Sequence, residues 1–201
     1  MRLLVATNNK GKLLEMLSLL EDTHFEIVTP EQVGLDLHVE ENGISYEENA
    51  SIKAQAFTRS SGLVTLADDS GLEVDALGGL PGIHSARFSP LPSATDADRR
   101  AYLLSLLKDH PQPWTAHFHC TVAITTPAGE MYFTQGECRG KVIMQERGTN
   151  GFGYDPIFLI DGSGLTMAEL SMEEKNQLSH RSRAVKAAIP ILVDISRKLS
   201  N

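Results

Sequence analysis

The sequence contains very little cysteine, with only Cys120 and Cys138 among its 201 residues. Two cysteines cannot build a disulfide scaffold, and their scarcity is typical of a reducing compartment. No apolar run approaches the ~20 residues that cross a membrane, and the first residues lack the pattern of a signal peptide. Repeats, low-complexity tracts and Gly/Ser linkers are also missing from the sequence. We therefore expect a cytoplasmic protein that does not associate with membranes.

Positive charge is in deficit, because 18 Lys+Arg against 26 Asp+Glu give a net charge of −8. This balance argues against a protein that wraps nucleic acid or binds anionic membranes. A phosphorylated small molecule remains compatible, since it needs only a local cluster of cations. An apolar fraction of 41% and a charged fraction of 22% are ordinary for a folded protein. At roughly 150 residues per domain, the length predicts a single domain over residues 1–201.

Short apolar runs alternate with helical patterns along the chain. Strands are predicted at 3–6, 25–29, 63–67, 114–126, 131–143 and 154–160, and helices at 12–20, 45–60, 95–108 and 181–199. Capping boxes, in which a Ser or Thr is followed three residues later by Glu, begin at Ser45, Thr166 and Ser171. Strands alternating with helices indicate an α/β fold, and the hairpin near Gly129 suggests a mixed sheet with a second lobe.

The first polar segment with a possible chemical role is TNNKGK at 7–12, between a strand and a helix. Backbone N–H groups at a helix N-terminus attract anions, and two lysines would add to this effect. The segment is not a Walker A loop, because Ala6 and Leu13 stand where that motif requires Gly and Ser/Thr. An ordinary polar turn with solvated lysines is the alternative.

A lysine and several carboxylates are the next candidates. Lys53 falls on the apolar stripe of its predicted helix, so its ammonium either extends to the surface or meets an anion. Asp68 and Asp69 follow a predicted strand, where they could hold Mg²⁺, orient water or form an Asx turn. Glu40 offers a further carboxylate, with an exposed acidic turn as the alternative.

Aromatic and basic residues cluster in the last third of the chain. The segment GTNGFGYDP at 148–156 could stack on a base through its aromatics or bury them in the core. Lys175, His180 and Arg181 form a basic cluster near a helix start, where the helix dipole opposes cations. His117 and His119 share one strand face while Cys120 points away, which favours a structural strand over a metal site.

Together these segments resemble the inosine triphosphate pyrophosphatases, also called dITP/XTP pyrophosphatases, which hydrolyse noncanonical purine nucleotides. The resemblance rests on TNNKGK at 7–12 with Glu15, EENGISYEENASIKA at 40–54, ADDSGLEVDALGGLPGIHSAR at 67–87, GTNGFGYDPIF at 148–158 and SHRSRA at 179–184. It implies an α/β fold with an elongated mixed β-sheet, flanking helices and two lobes around a central nucleotide-binding cleft. It also implies a cytoplasmic homodimer and a Mg²⁺-dependent reaction that converts a nucleoside triphosphate into the monophosphate and pyrophosphate.

The resemblance further implies roles for individual residues. Asp69 would activate water and, with Glu40, hold Mg²⁺, while Ser70 would contact the substrate. The triphosphate would be bound by Thr7, Asn8, Asn9, Lys10, Gly11, Lys12 and Lys53. The nucleoside would meet Phe152, Gly153, Tyr154 and Asp155, and its 6-oxo edge would meet Lys175, His180 and Arg181. Two alternatives stay open: a pyrophosphatase acting on dTTP or modified pyrimidines, and a nucleotide sensor without hydrolysis.

Overall fold

The structure is a computed structural model that describes residues 1–200, without the side chain of Ser200. The strands are β1 (Arg2–Val5), β2 (Glu26–Val28), β3 (Val64–Val74), β4 (Trp114–Thr125), β5 (Met131–Val142) and β6 (Phe158–Ile160). The helices are α1 (Lys10–Leu20), α2 (Tyr46–Ser61), α3 (Asp96–Leu107), α4 (Met172–Leu178) and α5 (His180–Ser200). Among the residues described, no helix has the length and apolar content to span a membrane.

The six strands form one mixed sheet in the order β2-β1-β3-β4-β5-β6. Strand β1 pairs in parallel with both β2 and β3, whereas β5 and β6 are antiparallel. Parallel neighbours require crossover helices, and the chain supplies α1 between β1 and β2 and α2 before β3. The predicted mixed α/β sheet with flanking helices is confirmed.

The chain divides into two compact units. Unit 1 comprises residues 1–69, 120–136 and 180–200, and unit 2 comprises 70–119 and 137–179. The chain passes from one unit to the other inside three strands, β3, β4 and β5. Each unit has its own buried apolar clusters.

The core of unit 1 follows from the alternation of side chains along buried strands. In β1, Leu3 and Val5 pack on the face that is covered by apolar residues of α1 and α5. Leu4, between them, packs on the opposite face, where α2 contributes residues such as Phe57. Because helices cover both faces, these strands are continuously apolar, as buried parallel strands are.

The predicted end of the third strand, before Asp68, is wrong. Strand β3 continues through Asp68, Asp69 and Ser70 to Val74, and all but two of its residues are buried. The DDSG sequence is typical of a turn, but covering both faces of the sheet keeps this stretch extended. The two aspartates are therefore interior residues of a long strand, and the Asx turn considered for them is not formed.

The predicted capping boxes mark the starts of α2, of α4 and of a short 3₁₀ helix at Met167–Glu169. Ser45 caps α2 by accepting a hydrogen bond from the Glu48 amide, and Gly62 ends that helix in the left-handed conformation. The boxes at Thr166 and Ser171 close in both directions. A further reciprocal box begins at Thr95 and starts α3 in unit 2.

Candidate functional site

The alternation of β3 separates the two aspartates of unit 1. The Asp68 side chain is on the same face of the sheet as Leu66, which α1 and α5 cover. The Asp69 side chain is on the same face as Ala67, which α2 covers. Both are buried, with 0% and 4% of their surface exposed. Neighbours in sequence thus enter different surroundings, and their chemistry differs accordingly.

The Asp68 carboxylate is surrounded by cations. Its Oδ2 lies 3.2 Å from Lys12 Nζ of α1 and accepts a hydrogen bond from Arg181 Nε of α5 at 3.2 Å. The Arg181 guanidinium also pairs with Glu15 of α1. Burial alone would raise the pKa of Asp68, but Lys12, Arg181 and Lys53 overcome this effect and hold it well below its usual range. Asp68 is therefore a permanently charged group that assembles basic side chains from three helices.

The Asp69 carboxylate has a less cationic environment. Asn49 of α2 donates a hydrogen bond to its Oδ2 at 3.0 Å. Burial raises the pKa of Asp69 above its ordinary value, and the nearby Glu41 carboxylate adds to the effect. Lys12, Lys53 and the Asn49 hydrogen bond act in the opposite direction without overcoming it. Asp69 is the more basic of the two aspartates, which suits a group that orients or deprotonates water.

The buried Lys53 was predicted either to extend its ammonium to the surface or to meet an anion, and the second prediction is confirmed. Its Nζ lies 2.7 Å from Glu41 Oε1 and donates a hydrogen bond to the backbone oxygen of Asp68 at 2.8 Å. Glu41 belongs to the loop that precedes α2, and the Gly43 amide of that loop donates to Asn49 Oδ1 at 2.8 Å. The acidic loop is thus attached to the helix that carries both Lys53 and Asn49.

The segment 7–12 forms the N-terminus of α1, as predicted. Asn9 is the N-cap, and its side chain accepts a hydrogen bond from the Lys12 amide at 3.0 Å. Thr7 is buried and accepts from the Asn9 amide, whereas Asn8 and Lys10 are exposed. Gly11 is half-buried. The first turn of α1 therefore offers free helix-end amides and an exposed lysine, next to the Lys12–Asp68 pair.

The residues of unit 1 also fit a hard divalent cation. The described residues hold no group of three or more His, Cys, Asp or Glu arranged as a preformed metal site. Mg²⁺ does not require one, because it commonly takes one or two protein carboxylates and keeps several waters. Asp69 and the carboxylate of Glu41 lie close enough for their charges to repel, a donor set that a cation would stabilise. Glu40, the predicted partner of Asp69, is exposed in the same loop.

A second polar cluster lies in unit 2, in the loop before β6. The carboxylate of Asp155 is almost fully buried and lies 2.6 Å from Lys175 Nζ of α4. The same Oδ2 accepts a hydrogen bond from the Phe152 amide at 2.9 Å, and Lys175 Nζ lies 5.2 Å from the centre of the Phe152 ring. Gly151 has φ +74°, and a Cβ there would overlap the Asp155 carboxylate. A half-buried aromatic ring and a lysine are thus held side by side.

The other predicted base-contacting residues occupy different places. Tyr154 is buried in the apolar core of unit 2, and its hydroxyl donates to the backbone oxygen of Ser85 at 3.0 Å. His180 and Arg181 belong to unit 1, where they begin α5 and are buried. Ser70 is half-buried in β3. Within unit 2, only Phe152, Asp155 and Lys175 of the predicted set form one polar cluster.

Several residues of these clusters had no predicted role. Asn49 precedes Lys53 by one helical turn on the same stripe, a spacing that could have signalled a shared site. Glu41 and Glu15 lie inside the segments that carry the family resemblance, but neither was assigned a site role, because Glu40 was preferred to Glu41 as the metal ligand. His117 Nε2 lies 3.4 Å from Glu73 Oε2, and His119 Nδ1 lies 3.8 Å from Glu137 Oε1. These contacts agree with the structural interpretation of that strand.

Comparison with known proteins identifies many similar chains. The profile of the Ham1 family matches residues 3–191. A dITP/XTP pyrophosphatase of Geobacter sulfurreducens is 48% identical over 92% of each chain, and one of Desulforamulus reducens is 45% identical over 96% of each. The solved structure of a HAM1 protein from Coxiella burnetii superposes with a TM-score of 0.87, at 36% identity, over 96% of this chain and 99% of that one.

Proposed function

This chain belongs to the Ham1 family, and we propose that it hydrolyses noncanonical purine nucleoside triphosphates to the monophosphate and pyrophosphate. The proposed substrates are ITP, dITP and XTP. Removing them would keep altered bases out of DNA and RNA. The observation that carries the proposal is the pair of buried aspartates in β3, one surrounded by cations and one with a raised pKa.

The triphosphate binds to the cations of unit 1 and to the first turn of α1. Lys12 and Lys53 are both near Asp68, and Lys10 is exposed at the helix start. Phosphate oxygens gain from the helix dipole, from the helix-end amides of Lys10 and Gly11 and from these ammonium groups. Thr7 and Asn8 complete the predicted phosphate loop.

Asp69 directs the attacking water toward the α-phosphorus. The bond from water oxygen to phosphorus forms as the water gives up a proton to Asp69, the bond from phosphorus to the bridging oxygen breaks, and pyrophosphate leaves. Asn49 donates to Asp69 Oδ2 and so fixes the orientation of the carboxylate that is proposed to contact the water. Asp69 and Glu40 are the proposed Mg²⁺ ligands, with Glu41 close by. When bound, Mg²⁺ neutralises charge on the phosphates and lowers the pKa of coordinated water.

Base selection depends on the cluster in unit 2. Phe152 offers a ring for stacking, and Lys175 offers a donor to the 6-oxo group of hypoxanthine or xanthine. The 6-amino group of adenine would place donor against donor, which disfavours ATP. Asp155 holds Lys175 in position, Gly153 and Tyr154 shape the loop, and Ser70 is a further substrate contact. His180 and Arg181 remain proposed contacts of the base.

We further propose that the protein works in the cytoplasm as a homodimer, and that residues 1–201 act as a single catalytic domain. The dimer follows from the family resemblance, and the location from the scarcity of cysteine. Light scattering on the purified protein gives the mass of the assembly directly. A mass of one chain, near 22.0 kDa, would contradict the dimer.

The decisive experiment is a substrate panel with Mg²⁺. ITP, XTP, dITP, GTP, ATP and dTTP are incubated with the purified protein, and pyrophosphate and orthophosphate are assayed separately. Pyrophosphate from ITP, dITP and XTP, with little from ATP and GTP, is the expected result. Orthophosphate alone would refute hydrolysis at the α-phosphorus. Preferential hydrolysis of dTTP would favour a pyrimidine pyrophosphatase, and tight binding without products would favour a sensor.

A further inference from the structure

Helix α3 binds the loop that carries Phe152, although residues 88–147 contribute no motif to the family resemblance. Asp96 is the first residue of α3, and Arg100 follows one turn later on the same side of the helix. Asp96 Oδ2 accepts a hydrogen bond from the Gly153 amide at 2.7 Å. Arg100 donates to the Gly153 carbonyl oxygen at 2.8 Å. The two side chains thus bind both backbone polar groups of a single residue.

Arg100 is itself held in a fixed orientation. Its Nε and second terminal nitrogen donate to the two carboxylate oxygens of Glu146, at 2.7 Å and 3.0 Å. This two-point contact leaves the remaining guanidinium nitrogen for the Gly153 carbonyl, and only 12% of the Arg100 side chain is exposed. Asp96 is also held in place by its neighbour Arg99. The Arg99 guanidinium donates to the Ala94 carbonyl oxygen at 2.6 Å and pairs with the Asp96 carboxylate.

The peptide held by α3 has a conformation that needs support. Gly153 has φ +61°, in the left-handed region, and no heavy atom lies within 4 Å of the position that a Cβ would take. A glycine is therefore favoured at position 153 because of its left-handed backbone conformation. Packing of neighbouring atoms does not hold the Gly153 peptide in place. On the other side of Phe152, the Asp155–Lys175 pair holds the loop. The half-buried Phe152 ring lies between these two attachments.

We propose that Asp96 and Arg100 are positioning residues that set the orientation of Phe152, and thereby the discrimination between 6-oxo and 6-amino purines. The inference rests on the proposed function, because it assigns Phe152 to the base. Neither side chain needs to touch the substrate. Loss of either hydrogen bond frees the Gly153 peptide, so the ring and Lys175 no longer meet the base in one fixed geometry.

The test compares two matched pairs of variants, Asp96→Ala with Asp96→Asn and Arg100→Ala with Arg100→Lys. Asn keeps an acceptor for the Gly153 amide, and Lys keeps a charged donor for the carbonyl. Lys108→Gln, at the exposed end of α3, controls for the loss of one positive charge. The ratio of kcat/KM for ITP to that for ATP is measured for each protein, together with the ratio of their dissociation constants.

Both alanine variants should lower the ITP-to-ATP ratio by about tenfold, mainly through a higher KM for ITP, because misplaced binding groups weaken discrimination strongly. Asp96→Asn should recover most of the ratio, and Lys108→Gln should leave it unchanged. A variant that was merely less stable would lose activity on both nucleotides in equal proportion. An unchanged ratio in both alanine variants would overturn the inference.

Two further measurements separate this inference from the proposed function. Hydrogen exchange of the Gly153 amide should be slow in the unaltered protein and much faster in Asp96→Ala; equally fast exchange in both would refute the attachment itself. If the unaltered protein releases no pyrophosphate from ITP, the proposed function fails. The ratio of dissociation constants still decides whether α3 controls base selection.

Discussion

Arg181 gives the sharpest prediction, because two roles for it lead to different results. The resemblance assigns it to the base, whereas the structure buries its guanidinium between Glu15 and Asp68 with 1% of the residue exposed. Arg181→Ala would remove the guanidinium that pairs with the buried Glu15 carboxylate, while Asp68 would keep Lys12 at 3.2 Å. Removing one partner of a buried ion pair costs about 3–5 kcal/mol, a large part of the ~5–15 kcal/mol that stabilises a typical domain.

The assay is urea unfolding followed by circular dichroism. We expect Arg181→Ala to lower the free energy of unfolding by about 3–5 kcal/mol. Arg181→Lys should lower it less, since a lysine keeps the charge but cannot bind two carboxylates with one planar group. Arg183→Ala, an exposed arginine two residues along α5, is the matched control and should change it by no more than about 0.5 kcal/mol.

A double-mutant cycle tests the cause of this loss. Replacing Glu15 and Arg181 together by methionine removes both charges, so the double variant should be less destabilised than the sum of its single variants by about 1–3 kcal/mol. A loss below ~1 kcal/mol in Arg181→Ala would refute the structural role. If such a stable variant also showed a reduced ITP-to-ATP ratio, the base-reading role would be correct.

Three other changes test the remaining clusters. Asp69→Asn should lower turnover by about 100-fold or more with little change in stability, and near-normal pyrophosphate release would contradict its role. Gly151→Ala should raise the KM for ITP by about tenfold, because its Cβ overlaps the Asp155 carboxylate; steady-state kinetics with an unchanged KM would argue against that cluster. The pKa of Glu174 is lowered by the backbone amide and the hydroxyl of Ser171, so this stabilisation is present above the unfolded pKa of ~4.3 and is lost as the pH falls. Ser171→Ala keeps the backbone amide, which is the larger cause, and removes only the hydroxyl, so an NMR titration should show the pKa of Glu174 moved part of the way back toward its ordinary value. An unmoved pKa would contradict the contribution of the hydroxyl.

Local signals in the sequence predicted four of the five helices, and α4 was marked only by its capping box at Ser171. The start of α2 follows from Ser45 and Glu48, and its end from Gly62, because capping and left-handed termination depend on adjacent residues. The burial of Lys53 was also visible as a cation on an apolar stripe. The anion it meets could not be identified, since Glu41 lies outside the helix whose periodicity was considered.

Contacts between residues that are distant in the sequence could not be predicted from local patterns. Arg181 and Glu15 are 166 residues apart, and nothing in either segment shows that α1 and α5 pack on the same face of the sheet. The length of β3 was missed for the same reason, because DDSG is extended only when both faces of the strand are covered. Arg100 lies in a stretch without motifs, and its contact with Gly153 spans 53 residues.

The two neighbouring aspartates show how one strand can supply both structure and chemistry. Alternation sends Asp68 toward α1 and α5, where Lys12 and Arg181, together with Lys53 of α2, hold its pKa well below its usual range. Those cations would repel one another and be costly to bury without it. Asp69, on the other face, receives a neutral amide from Asn49 and has a raised pKa. The more basic group is therefore the one that we propose to act on water, while the Asp68 carboxylate holds Lys12, one of the lysines proposed to bind phosphate. Exchanging the two environments would require a shift of one residue in β3, which would also reverse every core side chain of that strand.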